Sequence, residues 1–217
     1  MNIKKFNLAV ILILSLSVPR ITNGQDNSIF GASLGLGLTN MTGSASEITN
    51  LSPDIGYTLG INFEQEFSER TSLNINLLYS RKNVRRGYNT LPNYPINQEN
   101  DYLKMSFDYL ELPVTIRYEV VSKSDFFING GVYISYLLNT KLSEDNIPPN
   151  LLATPWTEKV DYGLSFGIAK KISINQNNKL VLELRDNIGM KNLVDSDSQY
   201  NLKSNTLYFF VTWEFGN

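Results

Sequence analysis

"FDYLELPVTIRYEVV", residues 107–121, is rich in Leu, Val, Ile and Tyr, yet it carries Glu111, Pro113 and Arg117 inside the run. Parity resolves the mixture. Leu110, Leu112, Val114, Ile116 and Tyr118 fall on one side of an extended chain, and Tyr109, Glu111, Pro113, Thr115, Arg117 and Glu119 fall on the other. One side is greasy and the other polar, which is the period of a β-strand and not of a helix.

The same alternation recurs in seven other segments. "SIFGASLGLGL" sets Phe30, Leu34, Leu36 and Leu38 against Gly31, Ser33, Gly35 and Gly37. "DIGYTLGINFEQEF" and "TSLNINLLYS" follow, and after the opening stretch come "FFINGGVYISYLLN", "VDYGLSFGIA", "KLVLELRDNIGM" and "TLYFFVTWEF". No segment with helical period competes with them. The links after the second, fourth and sixth segments are short ("SER", "SKS", "INQNN"), whereas those after the first, third, fifth and seventh are long and polar. The pattern predicts an all-β protein, an eight-stranded antiparallel up-and-down transmembrane β-barrel, with short periplasmic turns, long extracellular loops and both termini periplasmic.

Two barrels fit this alternation. In one the greasy face meets lipid; in the other, a soluble lipocalin-like barrel of the periplasm, it lines a ligand cavity. Residue size favours lipid. The polar face carries many Gly, Ser, Thr and Asn, which suit a narrow lumen, whereas a solvent coat is normally dominated by Lys and Glu. The greasy face is uniformly bulky, and Tyr57, Tyr79, Tyr118, Tyr136, Tyr162, Trp213 and Phe215 lie near segment ends, where amphipathic rings settle at the headgroup level. Glu64, Glu111, Arg117, Glu183, Arg185 and Glu214 then point into the lumen, where a charge is costly alone, and they are expected to pair as a structural polar network. The functional alternative for that network is a proton or ion path. Pro113 lacks an N–H and is expected to mark a bulge.

The N-terminus gives a compartment. "MNIKK", the apolar run of residues 6–18 and "PRITNG" have the three regions of a cleaved secretory signal peptide, residues 1–24, leaving residues 25–217 as one barrel domain. The apolar run is shorter than the roughly 20 residues of a spanning helix, the form an uncleaved anchor would take. Without cysteine the chain is neither a lipoprotein nor disulfide-bonded. Loss of Lys4, Lys5 and Arg20 lowers the 19 basic residues to 16 against 21 acidic ones, a net charge of −5 that argues against nucleic acid.

Histidine is absent, which removes the usual general base of membrane-embedded hydrolases and acyltransferases. No catalytic residue and no cofactor is assigned. With neither His nor Cys, zinc has no ligand set, and Glu144, Asp145, Asp195 and Asp197 match no calcium-loop spacing. Two links carry candidate surfaces. Arg81, Lys82, Arg85 and Arg86 would grip lipopolysaccharide phosphates among the outer-membrane lipids, the alternative being a solvated strand extension. Leu151, Leu152 and Trp156, among prolines, would dock a partner, another envelope or secretion protein, or fold over the barrel mouth.

"YLELPVTIRYEV", "FFINGGVYISYLLNTK", "YGLSFGIAKKI" and "LVLELRDNIGMKNL", in this order, resemble the PorT-like outer-membrane β-barrel family of Bacteroidota. The resemblance spans nearly all of the chain after residue 24. It implies an integral protein of the Gram-negative outer membrane with Tyr109, Glu111, Pro113, Gly130, Gly131, Tyr136, Glu183 and Arg185 as framework positions, none of them catalytic. One member of that family is linked to protein secretion. Asp186 stands where the family pattern has an aromatic, which implies a bulge in that strand or a position close to the membrane surface. Function on this reading is a non-enzymatic envelope anchor or assembly component; the alternative is a transport-linked narrow pore or secretion accessory.

Overall fold

The computed structural model describes residues 28–87, 102–142, 158–194 and 200–215. Eight strands form a closed antiparallel barrel in chain order: β1 (Ser28–Thr42), β2 (Leu51–Ser68), β3 (Thr71–Gly87), β4 (Tyr102–Glu119), β5 (Phe126–Leu142), β6 (Val160–Ser173), β7 (Asn178–Gly189) and β8 (Lys203–Phe215). β8 returns to pair with β1, with Phe30 opposite Phe215 and Thr42 opposite Lys203, so no edge is left open. The connections are short after β2, β4 and β6 and long after β1, β3, β5 and β7. One helix, α1 (Ser44–Thr49), occupies the first long connection. At six residues it is too short to show a helical period in the sequence.

The parity read from residues 107–121 runs around the whole barrel. Outward side chains are apolar and uncovered, as Leu34 (66% exposed) and Ile61 (63%) illustrate, while inward Glu111 (0%) and Arg117 (2%) are enclosed. A lipocalin-like barrel requires the opposite, so that alternative is overturned. Pro113 makes no bulge: Pro113 faces Tyr133 in regular register, and the pairs Ile75–Val114 and Leu78–Glu111 keep one register across it. The shift falls instead between Asp108 and Tyr109, where β5 holds the extra residue, Leu138.

Several strands run past the points where the alternating segments end, and there the polarity of the two faces inverts. At the long-connection end of β3 and β4 the inward side chains are Val84, Leu103, Met105 and Phe107, all buried, while Arg81, Lys104 and Asp108 face out. Met41, Ala45 of α1, Leu193, Val194 and Leu202 complete an apolar cluster there. The barrel thus has a greasy outside along most of its length and a greasy inside at one end. That change of phase is what a strand leaving lipid for water requires.

Candidate functional site

Inside the wall the charged side chains sort into two layers. In the lower layer, towards the short connections, Arg117 of β4 reaches three carboxylates from three other strands: Nη1 lies 2.5 Å from Glu64 Oε2 and 3.3 Å from Glu214 Oε1, and Nη2 lies 3.3 Å from Glu183 Oε2. Lys171 of β6 bridges Glu64 (2.9 Å) and Glu214 (3.2 Å), and Arg185 Nε holds Glu183 at 2.5 Å. Ser72 donates to Glu64 Oε1 at 2.7 Å. Phe127 lies under Arg117 and Lys171, and Phe210 under Arg185. Three cations meet three anions, so the layer closes its own charge. Beneath it the barrel opens to a hollow of about 160 Å³ whose lining includes Glu66, Glu69, Arg70 and Asp125, with Lys171 and Phe127 also on its wall.

The upper layer is separate. Lys82 Nζ lies 2.5 Å from Glu111 Oε1 and 4.0 Å from Asp161 Oδ2, with the Tyr109 and Tyr133 rings against it. Tyr208 and Ser80 donate to Glu111, and Ser204 (2.5 Å) and Tyr133 (3.2 Å) donate to Asp161 Oδ2. Leu78, Tyr208 and Phe210 pack together inside the lumen as an apolar patch. Above the upper layer lies the apolar cluster of Val84, Met105 and Phe107. Going up the lumen, the lining passes from an ion-paired layer with apolar side chains packed beside it to a second ion-paired layer and then to an apolar cap. An ion moving through would have to break both sets of pairs and shed its water at the cap.

Of the six residues expected to form one network, Glu64, Arg117, Glu183, Arg185 and Glu214 come together in the lower layer, and Glu111 belongs to the upper one. Lys82 is not among lipid-facing cations: continuing the parity of Ser72, Asn74, Asn76 and Ser80 brings it inward, where it is 1% exposed. Arg81, on the outer side, holds Asp108 with two hydrogen bonds of 2.6 and 2.9 Å and stacks on Tyr57. Arg85 donates to the Pro53 carbonyl, and Arg86 is half-buried. The four cations therefore do not make one patch. Lys171 and Asp161 were absent from the expected network although both have the inward parity of β6. Leu151, Leu152, Trp156, Glu144, Asp145, Asp195, Asp197 and residues 1–24 lie outside the described residues.

The family described as outer membrane protein beta-barrel domain matches residues 23–195. The chain belongs to that family. This small eight-stranded barrel accordingly lies in the outer membrane. Among solved structures, the chain is similar to OprG from Pseudomonas aeruginosa (13% identity, TM-score 0.47, covering 89% of this chain and 99% of that one). It is similar also to the Escherichia coli outer membrane protein W (10%, 0.47, 89% and 100%) and to Ail, the attachment invasion locus protein of Yersinia pestis (14%, 0.43, 87% and 99%). At these identities the likeness is one of fold alone. No curated protein matches the sequence.

Proposed function

We propose that this barrel is a non-enzymatic, non-conducting component of the outer-membrane wall, serving as an envelope anchor or as part of a larger assembly. What carries the reading is the filled lumen, two separate ion-paired layers with apolar packing beside and above them. The chain has neither histidine nor cysteine, the commonest general base and the commonest zinc ligands, which favours a structural role for that interior. Planar-bilayer recording of the purified protein tests the closure: the expected trace is flat, and reproducible single-channel steps would make the barrel a narrow pore.

The four ordered motif pieces around Glu111, Gly131, Gly163 and Glu183 support placement among PorT-like barrels, and with it a second reading as an accessory of a secretion machine. In either case residues 1–24 are removed on export, the termini and short connections face the periplasm, and the long connections face outward with outer-membrane lipid, lipopolysaccharide included, as the surrounding partner. An impermeant maleimide applied to intact cells should label a cysteine placed at Asn201 and spare one at Lys123. Labelling of Lys123→Cys alone would turn the barrel over.

A further inference from the structure

On the outer wall, β7 and β8 carry side chains unsuited to hydrocarbon. Asp186 points outward with Leu184 and Ile188 flanking it along β7, Phe166 opposite on β6 and Leu207 opposite on β8, all four exposed and apolar. The register runs through Asp186 on both sides without a bulge, so a bulge does not explain it. An acid in such a position is costly and marks a functional site by default. The Asn205 side chain lies beside its carboxylate, whose Oδ1 has no hydrogen-bond partner among the described residues. Asn205 is half-buried and pairs across the seam with exposed Asn40 of β1. Two residues nearer the long connections comes Lys203, exposed on the same face and opposite Thr42.

Lys203, Asn205 with Asn40, and Asp186 thus form a polar lane descending from the rim into the apolar wall, cation first and acid last. Lys170 shows the ordinary escape from such a setting. It too faces outward beside Phe126, Leu182, Ile168 and Ile172, but its long stem carries the ammonium to the Ser124 carbonyl in the connection after β4. Asp186 has no stem long enough to leave the wall.

We propose that this lane binds a phosphorylated lipid that carries hydrogen-bond donors at the head of its acyl chains. A phosphate at the rim meets Lys203, and hydroxyl or amide N–H groups one step deeper donate to the Asp186 carboxylate and exchange bonds with the amides of Asn205 and Asn40. A glycerophospholipid with plain ester-linked chains offers only acceptors at that depth, and a carboxylate facing ester oxygens is left unsatisfied. The lane therefore discriminates by donor chemistry as well as by charge. It rests on lipid being the partner of the outer wall, as proposed above, and is separable from the closed lumen: single-channel steps would overturn the latter and leave the lane untouched.

Native mass spectrometry of the folded barrel, released from micelles loaded with either lipid A or phosphatidylglycerol, tests it. Lipid A has phosphates, amide N–H groups and hydroxylated chains, whereas phosphatidylglycerol has the phosphate but no donor on its chains. The expected result is a lipid A adduct that survives collision energies stripping phosphatidylglycerol, lost in Asp186→Leu, weakened in Lys203→Ala and partly kept in Asp186→Asn. Leucine suits the wall, so Asp186→Leu should fold, and the shift of gel mobility on heating reports that it has. Equal retention of the two lipids, or an adduct unchanged in Asp186→Leu, overturns the proposal. A protein dimer in place of the adduct, abolished by Asp186→Leu, overturns it in favour of a second copy in the lane.

Discussion

Among the described residues, Arg117 is the one lumen side chain that touches carboxylates of three different strands, β2, β7 and β8, from a fourth. Replacing it with Ala leaves Glu64, Glu183 and Glu214 with only Lys171 and Arg185 between them, an uncompensated charge in an enclosed layer. Loss of one partner from such a buried set costs about 3–5 kcal/mol. Urea titration of the barrel in lipid vesicles should show a correspondingly lower midpoint for Arg117→Ala, and an unchanged midpoint would mean that water takes the guanidinium's place. Arg117 and its three acids were legible in the sequence because each interrupts a greasy run at the polar parity. Lys82 and Lys171 were not, because each sits two residues beyond the clean alternation, after Ser80 and Ala169, where a cation reads as the start of a loop. Parity tells which face a residue takes and nothing of its height in the barrel. Glu111 and Arg117 therefore read as members of one network, although the two belong to different layers.

Strands show the same division at larger scale. Gly130 and Gly131 are neighbours on β5 with opposite roles. A Cβ on inward Gly131 would lie 2.1 Å from the Val114 carbonyl oxygen and 2.7 Å from the Thr115 Cα, backbone atoms that yield only if β4 moves. A Cβ on outward Gly130 would meet nothing nearer than the Phe166 ring at 3.8 Å. Gly131→Ala should therefore destabilise the barrel by about 1–3 kcal/mol, the usual cost of overpacking. Gly130→Ala should be neutral or stabilise by up to about 1 kcal/mol through the unfolded chain. Thermal unfolding in one detergent compares them directly, and equal shifts would show that β4 gives way easily. The glycine pair was visible as a motif, but which member is crowded depends on the neighbouring strand. The apolar ends of β3 and β4 escaped the sequence reading for a related reason. Val84, Leu103, Met105 and Phe107 alternate with polar residues as the membrane segments do, but with inside and outside exchanged, and a period of two does not say which face is which.

For the molecule as a whole, strand number, order and the greasy outside followed from periodicity and connection length, the two signals that lipid imposes most strictly. The layering of the lumen did not, since it depends on how far each strand slides past the next. β1 and β8 close the cylinder over a continuous register from Phe30–Phe215 to Thr42–Lys203. The two strands that must find each other are therefore the most distant in the chain, and joining them closes the longest loop of any strand pair. Before that step the sheet has two free edges, and hydrocarbon has no water to satisfy them. No half-built cylinder can wait in the bilayer. Insertion has either to be concerted for the whole chain or to lean on some other strand that lends its edge until β8 arrives.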